Sequence, residues 1–367
     1  MRLILTADWQ LGKGFGSVPP DAGALLRRAR LDAVARIAAL ATERRADAVL
    51  VAGDVFDHAA PTDETLRRML GALAGFSGPW VLLPGNHDPA LPESAWTRLA
   101  RLGLPPNLHL ADRAAPIAIG EAAVLPAPLS RRHEAADLTA WFDAAETPGA
   151  RFRIGLAHGA VEGLLPEGAD ALNPIARDRA ERARLDLLAL GDWHGTLQAG
   201  PRAWYPGTPE PDRFRANAPG AVLLATLRDG APPEVERIET ARHPWRRATL
   251  TLAPGLDPAA EIEPLLAPGP AGGEPMIRLD VAGVCDLAAH AALSEAAEAA
   301  RARALHLALD ETALSLTPSD ADLSAIAAAG FVRDAADRLA ALLEGPEAAT
   351  ARRALAHLHA LAEERRE

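Results

Sequence analysis

Five short segments of the 367-residue chain concentrate side chains that bind cations or move protons: Asp8-Trp9-Gln10, Gly53-Asp54-Val55-Phe56-Asp57, Gly85-Asn86-His87-Asp88, His158-Gly159 and Gly191-Asp192-Trp193-His194. Carboxylate and amide oxygens with imidazole nitrogens are donors that hold divalent metals, and a histidine among them supplies a general acid or base. Taken singly, each segment has a bland reading. Gly-Asp and Asn-His are ordinary turn residues, and His158 alone reads as a strand-end histidine with its hydrogen bonds met. What sets the five apart is their shared position. Each follows a short apolar run: Leu3 to Ala7, Ala48 to Ala52, Trp80 to Leu83, Ile154 to Ala157 and Leu187 to Leu190. Such runs, bounded by turn residues, fit strands buried on both faces, and ligands of α/β sheets gather outside the carboxyl ends of the strands.

The elements that carry these tips follow from the pattern between them. Leu25 to Arg44 and Glu64 to Leu73 have helical spacing, so strand and helix alternate through the first part of the chain. Composition shifts after Thr240. His243-Pro244-Trp245-Arg246-Arg247 leads into a strand-like Thr249 to Leu252, then a loop rich in Pro and Gly from Ala267 to Pro275. A strand-like Met276 to Val281, a helix-like Leu287 to Arg303 and a strand-like Ala304 to Leu309 follow. The remainder reads as helices, with Pro346 as a break before a last amphipathic one. There Leu355, Leu358 and Leu361 recur at helical spacing among Arg352, Arg353, Arg365 and Arg366, a stripe that packs on its own domain or on a partner. The boundary falls near Arg242 to Arg247, giving domains 1–242 and 243–367.

In order and context the five segments resemble the motif set of the calcineurin-like metallophosphoesterases. Leu11-Gly12, Phe56-Asp57 and the later Trp204-Tyr205-Pro206-Gly207-Thr208-Pro209-Glu210-Pro211 are similar to the SbcD-like DNA repair exonuclease branch of that superfamily. The resemblance covers roughly the first two-thirds of the chain. It implies a β-sandwich flanked by helices, an α/β fold, with a smaller C-terminal α+β cap. It also implies two divalent metals about 3.5–4 Å apart, which hold a hydroxide in line with a phosphodiester and neutralise charge on the phosphate and leaving oxygen. By resemblance Asp54 bridges; Asp8, Gln10 and His194 complete the first metal; Asn86, His158 and Asp192 complete the second. His87 matches the catalytic histidine that contacts the scissile phosphate or protonates the leaving group. Asp57 and Asp88 orient the site from behind.

Two positions depart from the usual pattern. Gln10 and Asp192 each stand where a histidine is common, so both changes replace an imidazole by an oxygen donor. Harder oxygen ligands favour manganese, or magnesium, over zinc. A decayed site that binds or regulates is the competing reading of these changes, against which Asp54, Asn86, His87, His158 and His194 are all intact.

Net charge is −11, from 38 basic and 49 acidic residues, and Lys13 is the chain's single lysine. This balance excludes a basic protein that coats nucleic acid nonspecifically. Part of the acidity belongs to Asp8, Asp54 and Asp192, whose expected role is to hold cations. Near them, Lys13 and Arg213, the latter within Pro211-Asp212-Arg213-Phe214-Arg215, are expected to meet backbone phosphate, and Phe15, Trp9 or Trp193 to stack on a base or wall the cleft, with core packing the alternative for the tryptophans. One cysteine, Cys285, excludes an internal disulfide and a zinc–thiolate cluster, and reads as a small buried apolar residue. With no signal-like start and no apolar run near membrane length, the expectation is a cytoplasmic protein.

The resulting expectation is a two-metal phosphodiesterase acting on DNA ends, an exonuclease with single-strand endonuclease activity as an option. Its expected partners are DNA and an SbcC-like ATPase, with a homodimer left open. Two alternatives remain at this stage: a phosphoesterase of small phosphodiesters such as cyclic nucleotides, and a DNA-binding or ATPase-regulating subunit with a weak site.

Overall fold

The computed structural model describes residues 1–164, 173–253, 255–319, 321–322 and 330–364. Arg365, Arg366 and part of the expected helical stretch, 323–329, lie outside the described residues. Two compact units emerge, Met1–His243 with Pro270–Gly272, and Pro244–Gly269 with Gly273–Glu367.

In the first unit the strands are β1 (Arg2–Thr6), β2 (Ala48–Val51), β3 (Trp80–Leu82), β4 (Leu108–Leu110), β5 (Ile117–Ile119), β6 (Ala122–Ala127) and β7 (Phe152–His158). They continue with β8 (Ala160–Val161), β9 (Pro174–Ile175), β10 (Leu187–Gly191), β11 (Leu197–Gly200), β12 (Ala203–Tyr205), β13 (Ala221–Thr226) and β14 (Glu234–Glu239). Two six-stranded sheets form, in the orders β14-β13-β1-β2-β3-β4 and β11-β12-β10-β7-β6-β5. Helices α1 (Pro20–Glu43), α2 (Asp63–Leu73), α3 (Ala95–Leu102) and the short α4 (Arg179–Arg182) connect them. Alternation along β1 explains the layers. Leu3 and Leu5 face the second sheet, where Phe152, Ile154, Leu156 and Leu187 meet them, while Ile4 faces Val34 and Ile37 of α1 and Leu66 and Met69 of α2. Each fully buried side chain of this size contributes roughly 1.5–3 kcal/mol, so a strand packed on both faces is held firmly along its length.

The helix ends are set locally. Pro20 and Asp21 open α1, where a missing N–H and a negative charge suit the first turn. Thr62 caps α2 by accepting from the Thr65 amide. Parallel pairing then aligns the strand ends: Thr6 lies opposite Val51, and His158 opposite Gly191. The polar tips expected from the sequence therefore emerge at the carboxyl ends of adjacent strands.

The second unit carries β15 (Trp245–Leu252), β16 (Met276–Cys285) and β17 (His306–Leu316), all parallel, with α5 (Pro258–Ile262), α6 (Leu287–Arg301), α7 (Phe331–Ala341) and α8 (Ala348–Glu364). All three strands extend past the strand-like patterns in the sequence. Polar residues such as Arg247, Thr249 and Thr251 alternate with Leu250 and Leu252, so half of β15 faces solvent and shows no apolar run. Of the apolar stripe on α8, Leu355 is buried and Leu358 packs on this unit's own core, while Leu361 is exposed. No described helix is long and apolar enough to cross a membrane.

Candidate metal centre

The tips are held in backbone conformations that side chains rarely adopt. Asp8, Gln10, Asp54 and Asp192 have φ of 54°, 43°, 52° and 95°. Each such residue costs on the order of 1–3 kcal/mol and persists only where its surroundings enforce it. Backbone bonds zip the first two tips together: Asp8 N to Gly53 O at 3.0 Å, Gln10 N to Asp54 O at 2.9 Å and Leu11 N to Val55 O at 2.9 Å. Arg30 of α1 completes the clamp, donating to the carbonyls of Asp8 at 2.9 Å, Trp9 at 2.7 Å and Glu210 at 2.9 Å. Its guanidinium is 2% exposed, and burial lowers its pKa against the opposing pull of Asp212, Glu210, Asp57 and Asp8. Asp88 joins the second and third tips, accepting from Phe56 N at 2.9 Å and Gly85 N at 2.7 Å. Burial raises its carboxyl well above the usual range. Asp88 thus holds backbone rather than facing the donors.

Around His158 the donors converge. Ligand atoms of Asp8, Asp54 and His158 lie within 4.8 Å of one another. His158 Nε2 stands 3.5 Å from Asp54 Oδ1 and 3.7 Å from Asp192 Oδ1. The other ring nitrogen, Nδ1, donates to the Ala52 carbonyl at 2.8 Å, which keeps a proton on Nδ1 and turns Nε2 toward the carboxylates. Small residues make this approach possible: a Cβ at Gly53 or Gly191 would strike the His158 ring. Asn86 donates through Nδ2 to Asp192 Oδ1 at 3.1 Å. Among the described residues, Asp8 Oδ2, Asn86 Oδ1 and His158 Nε2 are buried without a hydrogen-bond partner.

Such orphaned polar atoms cost about 1–3 kcal/mol each, and a divalent cation, displacing the His158 Nε2 proton, satisfies all three at once. The donor set fits one. The electrostatics agree. Burial raises the carboxyls of Asp8 and Asp192, the latter to about 6, because no protein cation fully compensates them. Burial also pulls the His158 imidazole down, but Asp54, Asp192 and Asp8 together carry it up to about 9. Both shifts mark concentrated, uncompensated negative charge, which a bound cation neutralises.

Around Gln10 the arrangement differs. Lys13 Nζ stands 2.9 Å from Gln10 Oε1, 3.2 Å from Asp212 Oδ2 and 3.5 Å from Asp57 Oδ1. Gln10 Nε2 lies 3.4 Å from Asp54 Oδ2 and 3.3 Å from His194 Nε2. His194 Nδ1 in turn is 3.2 Å from Asp212 Oδ1. Arg213 Nη2 also approaches this nitrogen, at 3.3 Å, but a guanidinium has no lone pair and its Nε and Nη2 already bind both oxygens of Asp212. The carboxylate therefore accepts a hydrogen bond from the imidazole Nδ1–H. Burial alone would raise the Asp212 carboxyl; His194, Arg213 and Arg30 hold it well below the usual range.

His87 occupies the rim. Its amide donates to Asp54 Oδ1 at 2.9 Å, its Nδ1 lies 2.8 Å from the Asp57 carbonyl, and its Nε2 is 4.0 Å from Asp54 Oδ2. Asp57 thus orients His87 through its backbone and Lys13 through its carboxylate. Among the residues expected to touch substrate, Arg213 keeps 42% of its side chain exposed, Lys13 is turned inward, and Phe15 is only 9% exposed, leaving little ring face for a base. Trp9 is core, with its indole N–H on Thr6 Oγ1 at 2.9 Å and its ring edge-on to Trp80.

Two further residues shape the site without belonging to any of the five sequence segments. Arg30 has a signal, an arginine on the apolar face of α1 between Leu26, Ala29, Ala33 and Val34. Asp212 has none, since its segment reads as basic.

A mixed α/β fold with flanking helices, whose strand ends gather buried oxygen and imidazole donors, has the site of a divalent-metal-binding protein, and the family it matches makes it a metal-dependent phosphoester hydrolase. Residues 1–195 match the family model described as calcineurin-like phosphoesterase, and the chain belongs to that family, whose members bind divalent metals. A curated relative, the SbcD component of the SbcCD nuclease of Rhodobacter capsulatus, is 40% identical over 95 residues. That alignment takes in 24% of this chain and 22% of the relative, so the shared stretch is about a fifth of the relative's length. Among solved structures, TT1561 of Thermus thermophilus is similar with a TM-score of 0.42 at 15% identity, covering 65% of this chain and 98% of that one.

Proposed function

We propose that the chain is an SbcD-like phosphodiesterase that acts on DNA ends in repair, in the cytoplasm and alongside an SbcC-like ATPase. Manganese is the expected cation, with magnesium next, because the donors are mostly oxygens. The observation that carries the reading is the convergence of Asp8, Asp54 and His158, joined by Asp192 and Asn86, with buried partnerless polar atoms among them. The 40% identity to an SbcD protein supports DNA over a small phosphodiester.

When bound, a divalent cation supplies Lewis-acid activation and offsets charge on the attacked phosphate. The chain's own residues do the rest. Asp8, Asp54, Asn86, His158 and Asp192 hold the cation, and the Ala52 carbonyl keeps the proton of His158 away from it. His87 presents Nε2–H toward the scissile phosphate and gives that proton to the leaving oxygen as water adds to phosphorus and releases its own proton to solvent, while the Asp57 carbonyl holds the ring at Nδ1. Arg213, partly exposed beside the site, meets a backbone phosphate.

End-labelled single- and double-stranded DNA, digested with manganese beside Asp54→Asn, tests the proposal. Shortened products from the native chain alone are expected. Hydrolysis of a chromogenic phosphodiester with DNA left intact would overturn the DNA substrate; hydrolysis of neither would overturn the phosphodiesterase.

A further inference from the structure

We propose that the Gln10–Lys13 pair replaces one of the two metal ions that the family resemblance implies, so that the centre binds a single divalent cation. This rests on the metal-centre reading above and concerns how many ions it takes.

The argument starts from what an ammonium can do. Lys13 Nζ has three protons and no lone pair, so the amide atom 2.9 Å from it must be the oxygen of Gln10. The amide nitrogen then faces the other way, toward Asp54 Oδ2 at 3.4 Å and His194 Nε2 at 3.3 Å. An amide NH2 is a donor and coordinates no metal. Its two hydrogens instead lie against lone pairs of Asp54 and His194, which the resemblance assigns to the first ion. That position is filled by the protein itself.

Turning the amide over would not free it. Gln10 would then set its NH2 against the Lys13 ammonium, with donor facing donor. Lys13 is not free to retreat, because its remaining protons face Asp212 Oδ2 at 3.2 Å and Asp57 Oδ1 at 3.5 Å. Asp212 is itself fixed by His194 and by both contacts from Arg213. The network holds one orientation of Gln10, and through Asp212 it also fixes the ring of His194.

The opposite half of the centre is the reverse case. Asn86 Oδ1 and His158 Nε2, which the resemblance assigns to the second ion, are buried and partnerless among the described residues, and so is Asp8 Oδ2, whose carboxylate groups with Asp54 and His158 rather than with Gln10. One half asks for a cation; the other already holds the positive charge of Lys13. A separate observation comes from the sequence. Lys13 is the only lysine among 38 basic residues in a chain that otherwise uses arginine. A compact ammonium with three tetrahedral donors meets Gln10, Asp57 and Asp212 from one atom, whereas a guanidinium spreads its donors in a plane.

Equilibrium dialysis of the full chain against manganese, followed by metal analysis and electron paramagnetic resonance, reads the stoichiometry directly. One manganese per chain with the six-line spectrum of an isolated ion is expected. In the double variant Gln10→His/Lys13→Ala, two per chain with an exchange-coupled spectrum are expected, circular dichroism reporting that the variant is folded. Two coupled ions in the native chain would overturn the inference and leave the metal-centre reading standing. A folded double variant that still takes one ion would also overturn it. No bound manganese in the native chain, or the native amount in Asp54→Asn, would instead overturn the reading on which the inference rests.

Discussion

Aspartates in the two units behave in opposite ways. On the sheet of the second unit, Asp280 accepts from Arg278 at 2.9 Å and Arg247 at 2.6 Å, and Asp310 from Arg278 at 3.2 Å. Hydrogen bonds from Arg278 and Arg247 hold the Asp280 carboxyl below its usual range, and those from Thr312, helped by the charge of Arg278, do the same for Asp310. At the strand tips of the first unit, burial raises Asp8 and Asp192 instead. The residue type is the same and the neighbours decide. An aspartate paired with arginine on a wet surface has its charge already matched, while one buried among its own kind is harder to ionise until a cation from outside matches it. Asp212 separates the two factors, being buried yet lowered, since His194, Arg213 and Arg30 surround it.

This contrast can be broken by mutation, beginning where the effect is greatest. Asp54→Asn removes the charge common to every donor in the centre, and manganese binding by dialysis and DNA hydrolysis should both fall below detection. His87→Ala should keep its manganese and slow single-turnover cleavage about 10²–10⁴-fold, the usual contribution of a positioned acid. Normal turnover in that variant would exclude the assigned proton donor.

Arg30→Met leaves the carbonyls of Asp8, Trp9 and Glu210 buried without their donor. A loss of about 3–5 kcal/mol is expected in urea unfolding, because a buried charge network is being broken from one side. A native midpoint would mean that the left-handed turn at Asp8 to Gln10 is held by the backbone zipper alone.

Acidity offers a gentler perturbation. The Asp192 carboxyl lies at about 6, above its ordinary 3.8, because it is buried. In the metal-free chain its protonated form favours folding, a contribution present at low pH and lost as pH rises from 3.8 through about 6. Manganese selects the ionised form, so the rise in Tm on adding manganese should be full above pH 6 and shrink as pH falls through it. Asp192→Asn should flatten that dependence; an unchanged profile would place the titrating ligand elsewhere. The smallest effect is expected from Arg247→Ala, whose ion pair is exposed and worth about 0–1 kcal/mol, with no change in metal binding.

Much of the first unit was legible in the sequence because its central strands are buried on both faces. Runs such as Leu187 to Leu190 stand out, and the polar residue that ends each run marks a tip. Thr62 and Pro20 likewise mark helix starts by local chemistry. β15 and β17 were only partly visible, since half of each faces water and polar residues interrupt the pattern. At the site, residue identity was readable and orientation was not. Gln10 reads as an oxygen ligand until Lys13, three residues on, claims that oxygen. Arg30 and Asp212 act through contacts that span 22 and 18 residues to Asp8 and His194, and periodicity says nothing at that range.

The lone lysine makes the chain its own reporter. Growth on lysine enriched in 15N at Nζ would place a single labelled ε-ammonium in the protein with its three N–H donors intact, giving one side-chain resonance located beside Gln10, Asp57 and Asp212. That resonance would sense paramagnetic manganese in the neighbouring site by line broadening. No engineered label or background assignment is needed to watch the centre fill.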